Sequence, residues 1–197
     1  MTRDFKKPAD IRAAFESSNA LLTGHFLLSS GLHSPNYMQC ALVLADPELA
    51  AWLGQGLAEA LRAARLEPDL IVSPAMGGLF IGQEVARALG LKHYFAEREN
   101  GVMTMRRGFS LKPGQRVVIV EDVVTTGKSS LEVMALLRAM DARVLGLASI
   151  VDRGSPDVGV PKVSLLSMDI PSFKPDACPL CKEDKPLIKP GSRTQPK

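Results

Sequence analysis

Residues 116–140, RVVIVEDVVTTGKSSLEVMALLRAM, constrain the fold of this chain more than any other stretch. Residues 116–120 are mostly β-branched and apolar without alternation, the pattern of a strand covered on both faces in a parallel sheet. Glu121 and Asp122 stand where that strand is expected to end. Ligands of open α/β sheets bind at the carboxyl ends of the strands, and adjacent acids there have no packing role. The turn that follows carries Thr125, Thr126, Gly127, Lys128 and Ser129, whose hydroxyls, glycine backbone and first helix amides suit an anion. Val133, Leu136, Leu137 and Met140 then recur at helical spacing, which predicts a helix laying one apolar face on the sheet.

Two acids beside a phosphate cradle need a reason, because carboxylates repel phosphates. A Walker loop would require glycine at position 122, where this chain has Asp122, so that reading fails. A sugar phosphate reconciles the two halves. Its hydroxyls would lie on Glu121 and Asp122 and its phosphate over residues 125–129.

The motif VVIVEDVVTTGKS resembles the signature with which type I phosphoribosyltransferases bind phosphoribosyl diphosphate (PRPP). A second segment, Gly24-His25-Phe26 followed by Ser29-Ser30-Gly31-Leu32-His33-Ser34 and Tyr37, resembles the N-terminal hood of the orotate phosphoribosyltransferases. The resemblance implies an α/β fold with a mainly parallel central sheet, helices on both faces and a small hood. It also implies transfer of the ribose 5-phosphate of PRPP to orotate, Mg2+ carried mainly on PRPP with Glu121 and Asp122 as possible ligands, and a homodimer. PRPP would be held by Arg98, Glu121, Asp122, Val123, Val124, Thr125, Thr126, Gly127, Lys128 and Ser129, and by Met76 and Gly77 in a second loop. Orotate would meet Thr125, Arg153, Tyr37 and Met38. Glu121, Asp122, Arg98 and Arg107 are the residues expected to act in catalysis, with Arg106 and Lys112 as further cations of the same loop. A PRPP-sensing regulator and a purine phosphoribosyltransferase are the competing readings.

The remaining elements fit one 197-residue domain, a length that supports one sizeable core. Ile11, Ala14 and Phe15 mark a first helix, and short strands are expected at residues 26–28 and 37–43. Asp46-Pro47-Glu48 is a helix start, and residues 69–73 form a buried strand that runs into the Gly77-Gly78 loop and a helix closed by Gly90. A third strand spans residues 92–98, and Asn100-Gly101 predicts a tight hairpin in a mobile loop at about 98–110. Residues 143–151 and 163–170 complete the sheet. The hood is expected at about residues 20–44 and 171–190, with a mobile tail over 190–197.

Composition excludes more than it assigns. A net charge of +3, with Lys and Arg spread along the chain, gives no footprint for nucleic acid. No apolar run is long enough to span a bilayer, and the start MTRDFKKPAD lacks the apolar core of a secretory signal, so a cytoplasmic setting is expected. Three cysteines argue against a disulfide framework. Cys178 and Cys181, in C-P-L-C, read as a tight turn with two reduced thiols ahead of a zinc site, which would need further ligands from Cys40, His25, His33, His93 or acids. No metal held by the protein alone is expected.

Overall fold

A computed structural model describes residues 4–28 and 30–190. Ser29 of the hood motif and the tail beyond residue 190, read as mobile, lie outside them. The main sheet has six strands: β3 (Leu70–Pro74), β4 (Lys92–Glu99), β5 (Val102–Met105), β6 (Arg116–Val124), β7 (Arg143–Asp152) and β8 (Lys162–Ser167). Their spatial order is β5-β4-β3-β6-β7-β8, parallel throughout except for the β4–β5 hairpin at one edge. From β3 the chain goes to β4 on one side and then returns to β6 on the other. The crevice between β3 and β6 is therefore the topological switch point, where sheets of this kind take their ligands.

Covering layers lie on both faces. Val118 and Val120 of β6 point into a core shared with α1 (Pro8–Ser17), α3 (Pro47–Ala63) and α4 (Gly78–Leu89), through Ile11, Phe15, Leu53, Leu57, Ile81 and Val85. Val117 and Ile119 point the other way, onto Val133, Met134 and Leu137 of α5 (Lys128–Ala139). Strand residues of alternate parity are thus buried on opposite faces, which is why the strand shows an unbroken apolar run. Helix ends follow their local chemistry. Asp46 Oδ1 accepts from the amides of Glu48 (2.9 Å) and Leu49 (3.2 Å), and Gly90 closes α4 at φ 71°. Asn100 and Gly101 both have positive φ, 52° and 83°, as a two-residue hairpin turn of primed type requires. A Cβ on Gly54 would come within 2.5 Å of Glu84, so α3 and α4 meet where the glycine leaves room.

Outside the main sheet, β1 (Leu21–Leu27) pairs antiparallel with β2 (His33–Met38). The C-terminal segment crosses this hairpin on both sides. His33 and Phe173 exchange two backbone hydrogen bonds of 2.8 Å, while Ile188 donates to His25 and accepts from Leu27 at the same distance.

Three local expectations need correction. The strand expected at residues 37–43 ends at Met38, and Cys40–Leu44 form a short helix, α2. Cys40, Val43 and Leu44 bury at helical spacing in the first core, and that packing outweighs their strand propensity. Strand β6 does not stop before the acids; it runs through Glu121 and Asp122 to Val124, because β7 keeps pairing as far as Val124 opposite Asp152. Strand β8 ends at Ser167, short of residue 170. No helix among the described residues is long and apolar enough to cross a membrane.

Candidate active site

Four chain segments meet at the carboxyl end of the sheet: the β6–α5 turn, the β3–α4 loop, the residues after β7, and the β4–β5 hairpin at the edge. Glu121 is buried, and its Oε1 accepts from the buried Ser130 hydroxyl at 3.2 Å. Burial, and then the adjacent Asp122 charge, push its carboxyl up to about 8, against the Ser130 bond. Burial also raises Asp122, opposed by hydrogen bonds from the amide of Val123 and its own. Neither acid has an ion-pair partner among the described residues. Two adjacent carboxyls, both raised by burial and without a cation beside them, are costly to keep at the switch point for stability alone.

Beside them is a cavity of about 70 Å3 lined by Glu121 and residues 123–130. Gly127 caps α5 in the left-handed conformation, φ 71°, and supplies no side-chain cap. The Lys128 amide donates weakly to Thr126 Oγ1 at 3.4 Å, and the other amides at the start of α5 remain available to an anion, with the exposed Thr125, Thr126 and Lys128 around them. A Cβ on Gly127 would also lie 3.1 Å from Val158.

Across the crevice, Gly77 opens α4, again without a side-chain cap, after a cis Ala75–Met76 peptide bond. Gly77 packs on Asp122: a Cβ there would be 2.6 Å from Asp122 Oδ1. Met76 is 74% exposed. The β3–α4 loop and the β6 acids thus form two walls of one crevice.

Arg153 follows β7, and its amide donates to the Val124 carbonyl at 2.9 Å. Its Nε is buried without a hydrogen-bond partner, burial lowers its pKa, and no carboxylate of the described residues pairs with it. The neighbouring Asp152 is engaged elsewhere, with the Ser155 amide at 2.8 Å and the Lys162 ammonium at 3.1 Å. Burial pushes Asp152 up, but those bonds outweigh it and hold the carboxyl below its usual range. A half-buried guanidinium in this state is ready for an anion.

Other expected residues are not gathered at the cavity. Arg98 donates to the Gly101 carbonyl at 3.1 Å and pairs with Glu132 of α5. Arg107 pairs with Glu97 at 3.0 Å and lies over the Phe95 ring, while Arg106 bridges Glu97 and Glu99. Tyr37 donates its hydroxyl hydrogen to Gln39 at 2.7 Å, and Met38 packs on the first core. Lys112 contributes its backbone amide to Gln115. Ser130 escaped the sequence reading, although its place one turn into the helix, below a strand-end acid, was visible in Thr-Thr-Gly-Lys-Ser-Ser.

The two thiols of C-P-L-C also differ from expectation. Cys178 and Cys181 do not sit alone: His25 and His33 face them, with all four ligand atoms within 4.8 Å of one another.

The arrangement matches a known family. Residues 43–169 match the model of the phosphoribosyl transferase domain. An orotate phosphoribosyltransferase of Carboxydothermus hydrogenoformans is 51% identical over 186 residues, covering 93% of this chain and 97% of the relative. The chain belongs to the orotate phosphoribosyltransferase family. A member of Thermotoga maritima is 49% identical over 93% of this chain and 98% of its own length. Among solved structures, the orotate phosphoribosyltransferase of Aeropyrum pernix superposes with a TM-score of 0.70 at 26% identity, over 80% of this chain and 93% of that one. An adenine phosphoribosyltransferase of Thermoanaerobacter pseudethanolicus shares the fold, with a TM-score of 0.58 at 20% identity over 68% and 88% of the two chains. The fold is thus common to the wider phosphoribosyltransferases, and the close sequence matches lie on the orotate branch.

Proposed function

We infer that this protein is an orotate phosphoribosyltransferase, which joins orotate to the ribose 5-phosphate of PRPP to give orotidine 5′-monophosphate and diphosphate. The observation that carries the reading is the buried pair Glu121 and Asp122 beside the anion-suited cavity of residues 123–130, at the switch point of the sheet. The 5′-phosphate fits the amides of Ser129 and Ser130 at the start of α5 and the hydroxyls of Thr125, Thr126 and Ser129, with Lys128 supplying positive charge. Glu121 and Asp122, beside that cavity, would take the ribose hydroxyls. The diphosphate fits the amides at the start of α4, where Gly77 lets the backbone come close.

Breaking the C1–O bond leaves positive charge on the ribose and negative charge on the departing diphosphate. Asp122, and Glu121 once bound cationic charge draws off its proton, stabilise the first, and amides and cations the second, so the work is positional and electrostatic and no protein nucleophile is needed. Two carboxyls without a cation partner also provide the oxygen donors that Mg2+ prefers. Glu121 and Asp122 would share the ion with substrate oxygens, and its charge would lower the cost of releasing diphosphate. Arg153, buried at Nε and unpaired, suits the orotate carboxylate, with Thr125, Tyr37 and Met38 as further base contacts. Arg98 and Arg107 serve the diphosphate only after leaving Glu132 and Glu97, so the hairpin must rearrange on binding.

A homodimer in the cytoplasm is part of the same proposal. Exposed Met76, Phe80 and Val102 support a subunit contact, and the three free cysteines support a reducing compartment. The deciding experiment offers the pure protein PRPP and Mg2+ with orotate, adenine or hypoxanthine. Orotidine 5′-monophosphate is expected with orotate alone. Nucleotide formed from a purine would move the protein to the purine enzymes, and PRPP binding without any turnover would make it a sensor.

A further inference from the structure

We propose that His25, His33, Cys178 and Cys181 form a closed, tetrahedral zinc site that fastens the C-terminal segment to the β1–β2 hairpin. The Nε2 atom of His25 lies 3.5 Å from Cys178 Sγ and 3.7 Å from Cys181 Sγ. The Nδ1 atom of His33 lies 3.3 Å from Cys181 Sγ and 3.0 Å from His25 Nε2. A tetrahedral zinc with bonds of about 2.3 Å to sulfur and 2.0–2.1 Å to nitrogen sets neighbouring S and N atoms roughly 3.6 Å apart and two nitrogens about 3.3 Å apart. Four of the six separations already stand close to those values, and all four atoms lie within 4.8 Å of one another.

The outer contacts agree with ligation. His25 Nδ1 is 2.9 Å from the Lys185 carbonyl, so an N–H there would donate to that oxygen and leave Nε2 bare on the thiol side. His25, His33 and Cys178 are buried, 2%, 5% and 1% exposed, and Cys181 closes the solvent side. Without an ion, facing imidazole nitrogens and two sulfurs crowd a space that one cation would satisfy at once. Two thiolates and two imidazoles in a tetrahedral set favour zinc among divalent metals. With four protein ligands no position is left for substrate, so the role is structural.

The ligands come from three pieces of chain. His25 lies in β1, His33 in β2, and the cysteines flank the start of the four-residue helix α6 (Pro179–Lys182). A two-stranded sheet is marginal alone, and its further ties to the C-terminal segment include the backbone bonds of Phe173 and Ile188 and the Ser34 hydroxyl donating to the Pro171 carbonyl at 3.0 Å. None of the four ligands lines the cavity beside Glu121.

The test uses the full chain, reduced, stripped with a chelator and titrated with Co2+ as the optical probe. The expected result is one equivalent bound, with the intense visible bands of tetrahedral cobalt, thiolate charge transfer in the near ultraviolet, and displacement of both by Zn2+. Cys181→Ser and His33→Ala should each weaken uptake more than a hundredfold, while Cys40→Ser should not change it. Zinc should also raise the melting temperature of the wild type, and that increase should vanish in Cys181→Ser. Absence of tetrahedral cobalt in the reduced wild type would overturn the site whether or not the variants fold, as would a Cys178–Cys181 disulfide that persists under reduction and blocks uptake.

Discussion

Gly77 and Asp122 are in contact across the crevice between β3 and β6, so closely that a Cβ on the glycine would fall 2.6 Å from Asp122 Oδ1 and 2.8 Å from its Cγ. This contact joins the loop assigned to the diphosphate to an acid assigned to the ribose. Gly77 has φ −57°, so space rather than backbone conformation demands glycine here. Gly77→Ala must push the Asp122 carboxylate aside or move the loop. Steady-state kinetics should show the KM for PRPP rising and kcat falling, together by about tenfold or more, because displacement of a positioned group by a fraction of an ångström is costly. An unchanged kcat/KM for PRPP would remove this contact from the site.

Arg153 presents a second, separable prediction. Its guanidinium has a buried, unpartnered Nε, and the adjacent Asp152 is held by Lys162 and Ser155. Arg153→Ala should raise the KM for orotate roughly 10- to 100-fold, the equivalent of losing charged hydrogen bonds of about 1.5–3 kcal/mol. The KM for PRPP should change little. Equal effects on both substrates would mean that Arg153 does not read the base.

How much of this site was legible in advance depended on how local its causes are. The β6–α5 turn, the Asp46 cap, the Gly90 closure and the Asn100-Gly101 hairpin follow from neighbouring residues, and their chemistry shows in a few letters. The end of β6 does not, because it is set by where β7 stops pairing, opposite Val124. Cys40–Leu44 turned helical for a tertiary reason, burial of one face against the first core. The histidine–cysteine cluster was the least legible feature: His25 and His33 precede Cys178 by well over half the chain, and C-P-L-C alone shows only half of the set. Arg98 and Arg107 could be named from the motif, but their present partners, Glu132 and Glu97, could not.

The hairpin pairings lead to a prediction in the opposite direction from most substitutions. Glu97 holds both Arg106 and Arg107, and these are partly exposed ion pairs. Glu97→Gln frees Arg107, leaves Arg106 held by Glu99 alone, and removes a charge that would repel diphosphate. The KM for PRPP should fall, by up to about fivefold, since an exposed pair contributes no more than about 1 kcal/mol. The gain should shrink as ionic strength rises. A higher KM at low salt would show that the loop arginines have no part in holding PRPP.

Removal of the acid pair should separate stability from catalysis. Burial holds Glu121 up to about 8 against an ordinary 4.5, so at neutral pH the folded chain binds a proton that the unfolded chain has released. By linkage, stability from this group is fully present below pH 4.5 and is lost as pH rises through about 8. The loss is of the order of a few kcal/mol, since a tenfold change in proton affinity between the folded and unfolded chain corresponds to about 1.4 kcal/mol. Glu121→Gln keeps the shape and a hydrogen-bond acceptor for Ser130 but cannot ionise. Urea denaturation from pH 5 to pH 9 should therefore show a flatter profile for the variant, with its advantage over the wild type greatest at high pH. Combined with Asp122→Asn, the same change should lower turnover by more than about tenfold, the scale of lost transition-state electrostatics. A double variant that gains stability at pH 9 while retaining wild-type turnover would leave the acids as a structural burden and take them out of the reaction.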